Sequence, residues 1–239
     1  SVQEIKAESF HYLHNLSKFP YQFFESGKFN SKLEEEQRFA VNYGDDTRLS
    51  CKIEELVTGD DALQAIMLKT TEKNDMPTLF VLWCGTNNMA QTVADFDSKP
   101  AESNFEKQKE QIRLKISEAI SSMYDEYEQK KVRIVTSGHS LGATLAQYLT
   151  VSLVEALACQ NHPKGITNEK IASIELGGVN APGIGNDRIE QFEMYQKKAL
   201  EFQNNVPVNG ILIRMTGDPI EQHHAHLITS GMFDKKELL

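Results

Sequence analysis

Residues 132–157 constrain this chain more than any other stretch. Val132, Ile134, Val135 and Thr136 are largely β-branched, fit a pleated and buried surface, and predict a strand. The apolar run from Leu141 to Leu157 predicts a helix. Between them stands Gly138-His139-Ser140-Leu141-Gly142, a Gly-x-Ser-x-Gly pattern. A strand that turns at once into a helix forces the turning residue into a strained backbone conformation. Small residues two before and two after it let the flanking backbones pass closely. Ser140 is therefore expected at the tip, its hydroxyl lifted clear of the sheet, with the backbone N–H of Leu141 aimed at the same space. The pattern alone is weak and occurs in ordinary turns. The strand before it and the helix after it make it a nucleophile elbow.

The flanking chain repeats the same alternation. Leu63 to Leu68 and Thr78 to Trp83 read as strands joined by the turn-forming Glu72–Pro77, a hairpin. Ser103 and Glu106 form a capping box opening a helix whose stripe is Ile112, Ile116, Ile120, Met123 and Tyr127. Ile171 to Leu176 is another strand, closing in Gly177-Gly178. Asp187 is placed as the N-cap of a helix carrying Ile189, Phe192, Tyr195, Ala199 and Phe202. Gly210 to Met215 is a further strand, ending in Thr216-Gly217-Asp218-Pro219. Strands alternating with helices of this length predict an α/β fold, a mostly parallel central sheet with helices on both faces. Residues 61–239 are assigned to this core, with truncation at its C-terminal end left open. Residues 1–60 are assigned to an N-terminal helical segment packing on it.

That segment is aromatic over residues 1–30, with Phe10, Tyr12, Phe19, Tyr21, Phe23, Phe24 and Phe29. Ile5, Phe10, Leu13 and Leu16 allow a helix ending before Pro20. His11 and His14 lie three apart on it, but no third ligand is near, so they read as helix-face histidines and no metal is expected. The run Glu34-Glu35-Glu36 reads as a solvated helix face within residues 31–50.

The chain's 239 residues can bury a substantial core, and a net charge of −9 argues against nucleic acid as a partner. It also disfavours strong electrostatic docking on an anionic membrane. Cys51, Cys84 and Cys159 are odd in number, far apart and beside apolar residues. They read as buried free thiols, which suits a reducing compartment. No run of about 18 apolar residues exists to span a bilayer. A chain beginning at Ser1 with no signal-peptide pattern reads as trimmed, and its N-terminus does not reveal its location.

In a parallel sheet, function gathers at the carboxyl ends of the strands, where Thr86, Ser140 and Asp218 fall. Ester hydrolysis needs a nucleophile, a base, a group that orients the base, and donors for the developing oxyanion. Ser140 supplies the nucleophile and the Leu141 N–H one donor. Asp218, fed by a strand and held between Gly217 and Pro219, is placed to orient a histidine. His223, His224 and His226 are the candidates for the base. An antiparallel return strand His226-Leu-Ile-Thr would start His226 at the edge where Asp218 sits. A base beyond Leu239 stays open beside it. His139 points away from the substrate side of such an elbow and reads as structural.

The sequence resembles the class 3, fungal-type lipases of the α/β-hydrolase fold from about Leu63 to Asp218. The matching segments are Leu82-Trp-Cys-Gly-Thr86, Thr92-Val-Ala-Asp95, Gly138-His-Ser-Leu-Gly142, Asn180-Ala-Pro-Gly-Ile-Gly-Asn186 and Arg214-Met-Thr-Gly-Asp218. The resemblance implies that Thr86 is the side-chain oxyanion donor, that residues 88–96 form a lid, and that Asp218 is the triad acid. Cys84 stands where the family usually has the arginine whose ion pairing braces that loop. The implied activity is hydrolysis of carboxylic esters of lipids, with no cofactor and with transient membrane-surface contact through the lid. The alternatives are a lipase-like domain that binds a lipid or a protein without turnover, and a thioesterase.

Overall fold

Strands with an apolar middle, above all Thr78–Trp83 and Val132–His139, place an eight-stranded sheet at the centre of the described residues. The computed structural model describes residues 11–25, 28–29, 38–43, 48–57, 63–85, 99–159, 163–181, 183–213 and 233–235. A two-stranded ribbon, β1 (Phe24–Glu25) and β2 (Lys28–Phe29), precedes the sheet. The sheet strands are β3 (Arg38–Asn42), β4 (Arg48–Val57), β5 (Ala65–Thr70), β6 (Thr78–Trp83), β7 (Val132–His139), β8 (Ile171–Val179), β9 (Val208–Ile213) and β10 (Phe233–Lys235). They lie side by side in chain order. Pairing is antiparallel from β3 to β6 and parallel from β6 to β10. The β5–β6 hairpin forms as its sequence predicts, with Ala65 opposite Trp83.

Both faces of the sheet are covered. Along β6, Leu79, Val81 and Trp83 point into one core and Phe80 and Leu82 into the other, as the period-two alternation of a strand requires. That is why this strand is apolar without a break. The larger core lies under α2 (Lys99–Glu126), α3 (Leu141–Leu157) and α4 (Asn186–Glu201). The smaller lies on the other face, where α1 (His11–Lys18) places Leu16 among Leu49, Cys51, Ile53, Phe80 and Val135. In α3 every residue but Glu155 is buried. Inside it the Thr150 hydroxyl and the Gln147 side-chain amide donate to the carbonyls of Ala146 and Ala143, at 2.9 Å and 3.3 Å. The stripe Ile112, Ile116, Ile120, Met123 and Tyr127 is buried as its spacing predicts. Among the described residues no helix is long and apolar enough to cross a membrane.

Several expectations are corrected. Within residues 31–60, Arg38–Asn42 and Arg48–Val57 are strands of the central sheet rather than a helical face. Val41, Leu49, Cys51 and Ile53 bury themselves on the α1 side, a pattern of period two beside the more conspicuous Glu34–Glu36. Those glutamates lie outside the described residues. The sheet is accordingly mixed, its antiparallel part running from β3 to β6. Helix α2 starts at Lys99, not at Ser103, because Pro100 falls in the first turn, where its missing N–H costs nothing. The N-cap of α4 is Gly185, at φ 83°, which leaves Asp187 in the first turn, where a negative charge suits the helix dipole. Phe202 follows that helix and is exposed, and Cys159 is exposed, whereas Cys51 and Cys84 are buried free thiols.

Candidate active site

One residue makes the turn from β7 into α3. Its neighbours His139 and Leu141 belong to the strand and the helix, so Ser140 must reverse the chain alone. It does so at φ 55°, ψ −123°, a region that residues with a Cβ occupy at a cost of about 1–3 kcal/mol. Its N–H donates to the Val179 carbonyl at 2.9 Å, and its own carbonyl accepts from Ala143 at 3.0 Å and Thr144 at 3.3 Å. Sheet and helix thus hold the strained residue from both sides. Ser140 stands at the N-cap, yet its hydroxyl caps nothing. The Leu141 N–H is the first of α3, with no carbonyl one turn back in the helix to accept from it.

The glycines are required sterically. A methyl group on Gly138 would lie 2.2 Å from the carbonyl carbon of Gly142. One on Gly142 would lie 2.5 Å from the Trp83 carbonyl oxygen and 3.0 Å from the Gly85 nitrogen. Gly178 performs the same service one strand away, since a methyl there would press on Leu212 at 2.7 Å and on the Ala143 Cβ at 3.2 Å. The start of α3 therefore sits directly on the carboxyl ends of β6, β7 and β8.

Register aligns those ends. Trp83 pairs with Gly138, Gly138 with Gly178 and Gly178 with Leu212, so β6, β7, β8 and β9 finish at one edge. Beyond β6 the chain continues through Cys84 and Gly85. Burial pushes the Cys84 thiol up to about 12, so the thiol is neutral and holds the loop by packing rather than by charge. Gly85 donates its N–H to the Tyr21 hydroxyl at 3.0 Å. Burial raises the Tyr21 phenol to about 12 against the opposing pull of that hydrogen bond. Sequence reading does not single out Tyr21 as a site residue. The aromatic density of residues 1–30 points to its segment, but nothing local points to its partner.

Of the residues assigned from sequence, the structure describes Ser140 and Leu141 and brings them together at the elbow. Thr86, Asp218, His223, His224 and His226 lie outside the described residues, as does the lid segment 88–96. The expected return strand from His226 lies there too. The strand described next to β9 is Phe233–Lys235, and it runs parallel, not antiparallel. His139 is buried, in keeping with a structural role. His11 lies in α1, but the side chains of His11 and His14 lie outside the described residues. Among the described residues no group of three metal-ligating side chains occurs.

A serine at a strand–helix elbow in the parallel part of a mixed sheet covered on both faces defines an α/β-hydrolase-like protein. The chain belongs to the class 3 lipase family: the profile described as lipase (class 3) matches residues 80–206, more than half of its length. That span holds Thr86, Ser140 and Leu141, whereas Tyr21, Asp218 and the C-terminal histidines fall outside it. No curated protein sequence matches the chain. Among solved structures, it is similar to a fungal lipase–inhibitor complex described as a model for interfacial activation in lipases. The identity is 16% and the TM-score 0.38, over 68% of this chain and 57% of that one. It is also similar to M37 lipase, at 15% identity and a TM-score of 0.40, over 68% of this chain and 55% of that one.

Proposed function

We propose that the protein is a serine hydrolase cleaving carboxylic esters of lipids through an acyl-enzyme on Ser140. The observation that carries this reading is the backbone of Ser140, held at φ 55° between β7 and α3 with its hydroxyl not engaged in capping the helix. Strain of this kind persists only where the surroundings over-determine it, and here it presents a nucleophile. Family membership supports a lipid acyl ester as the substrate.

In the proposed reaction the Ser140 Oγ attacks the acyl carbonyl carbon while a histidine, His226 in this reading, takes its proton. Asp218 orients the imidazole and stabilises its charged form. The carbonyl π electrons move onto oxygen, and the Leu141 N–H and the Thr86 hydroxyl donate hydrogen bonds to the resulting oxyanion. Collapse breaks the ester C–O bond, and the imidazolium protonates the departing alcohol. Water, deprotonated by the same imidazole, then releases the fatty acid and restores Ser140. Residues 88–96 act as a lid that touches the lipid surface transiently. Free buried thiols at Cys51 and Cys84 suit a reducing compartment.

Hydrolysis of p-nitrophenyl butyrate tests the reading. The wild type is expected to turn it over and Ser140→Ala to fall to background, with thermal stability nearly unchanged because the substitution removes one small hydroxyl that caps nothing. A folded Ser140→Ala protein as active as the wild type would remove Ser140 from the mechanism. A wild type that binds lipid vesicles but turns over no ester would instead support a lipase-like binding domain.

A further inference from the structure

Tyr21 belongs to the short 3-10 turn Phe19–Phe23 that follows α1, on the face of the sheet opposite α3. From there its side chain reaches the end of β6. Strand β6 closes at Trp83, and the Cys84 N–H still finds a ladder-like acceptor in the Gln64 carbonyl at 2.8 Å. The next amide, that of the buried Gly85, turns to the Tyr21 hydroxyl at 3.0 Å. A buried N–H without an acceptor is costly, so this bond determines where the backbone leaves the sheet.

The space around Gly85 shows how closely that exit is held. A methyl built on it would lie 2.6 Å from the Tyr21 oxygen, 2.8 Å from the His139 carbonyl oxygen and 3.5 Å from the Gly142 nitrogen. The phenol, the last carbonyl before Ser140 and the first turn of α3 therefore converge on one residue. That residue immediately precedes Thr86. The Lys18 ammonium, 5.7 Å from the centre of the Tyr21 ring, covers the ring.

We propose that Tyr21 is a positioning residue: by accepting the Gly85 N–H it holds the end of β6 against the elbow and fixes where the chain carrying Thr86 departs. Its catalytic consequence rests on the hydrolase reading above; the hydrogen bond itself does not. Because the phenol keeps its own proton, the oxygen accepts through a lone pair and places no charge beside the elbow. Phenylalanine would keep the ring and remove only the acceptor.

Amide hydrogen exchange and steady-state kinetics on the full chain, wild type beside Tyr21→Phe, test this. In the wild type the Gly85 amide is expected to be protected. In Tyr21→Phe it is expected to exchange at least about tenfold faster, while the Ser140 amide, bonded to Val179, keeps its rate. On p-nitrophenyl butyrate, kcat is expected to fall about tenfold with KM changed less than about twofold, the pattern of a misplaced transition-state donor. An unprotected Gly85 in the wild type, an unchanged Gly85 rate in the variant, or an unchanged kcat would overturn the proposal. So would a fall in kcat matched by loss of folded protein. A wild type without turnover would overturn the hydrolase reading and the catalytic consequence with it. Exchange at Gly85 would still decide whether Tyr21 holds the loop.

Discussion

Ser140 can keep its positive φ only because Gly138 and Gly142 leave room for the backbones that pass it. In Gly142→Ala the new methyl meets the Trp83 carbonyl oxygen at 2.5 Å, and both are tied to rigid backbone. The expected cost is about 1–3 kcal/mol in a urea or thermal melt, together with loss of esterase activity. A Gly142→Ala protein as stable and active as the wild type would mean that α3 does not sit as closely on β6 as described. Two further substitutions test the proposed chemistry. Thr86→Val is expected to lower kcat about 100-fold with little change in KM, the scale of one oxyanion donor. His226→Ala is expected to fall to the Ser140→Ala level, and the wild-type pH profile to rise through a single titration near neutrality. If His226→Ala keeps its activity, the base lies elsewhere. At this scale the elbow was legible in the sequence because Gly138, Ser140 and Gly142 act on one another within five residues. Tyr21 was not, because its hydrogen-bond partner is 64 residues away.

Among the elements, α2, α3 and α4 are tied together by charge as well as by packing. Arg113 of α2 is almost wholly buried and donates to the Ser152 hydroxyl and carbonyl of α3, each at 2.8 Å, and to the Glu155 carboxylate. Lys109 reaches the same carboxylate at 3.2 Å, and Tyr195 of α4 donates to it at 3.4 Å. Arg188 of α4 meets Glu102 and Glu106 of α2 at 2.7 Å and 2.9 Å. Burial pushes the Glu155 carboxyl up, but Arg113 and Lys109 outweigh it and leave the group below its ordinary value. A carboxyl depressed in the folded state stabilises above its unfolded pKa and loses that contribution as pH falls through the folded value. Glu155→Gln is therefore expected to cost about 1–3 kcal/mol at pH 7, with the difference from wild type shrinking below about pH 4. A difference that is constant from pH 7 to pH 3 would contradict the pairing. The stripe of α2 was readable from its period, and so was the β5–β6 hairpin from its apolar runs and turn. Strands β3 and β4 were not, since their alternation at Val41, Leu49, Cys51 and Ile53 is short and stands beside a charge run that suggests a helix.

Across the whole molecule, sheet order and register bring the ends of β6, β7, β8 and β9 to one edge, and the strained serine rises from the middle of it. That convergence follows from strands and helices alternating along the chain, which the sequence displayed. The partners proposed for Ser140 come from segments that carry no strong periodicity, so their placement could not be read the same way. The account stands on Ser140 being an activated nucleophile. The direct measurement is labelling of the full chain with a fluorophosphonate, followed by mass-spectrometric location of the adduct. Only a serine whose proton is taken up and whose oxyanion is stabilised reacts at a useful rate. The account predicts a single stoichiometric adduct on Ser140, absent from Ser140→Ala and slowed in Thr86→Val. A folded wild-type protein that takes up no label, or takes it up at another residue, would contradict it.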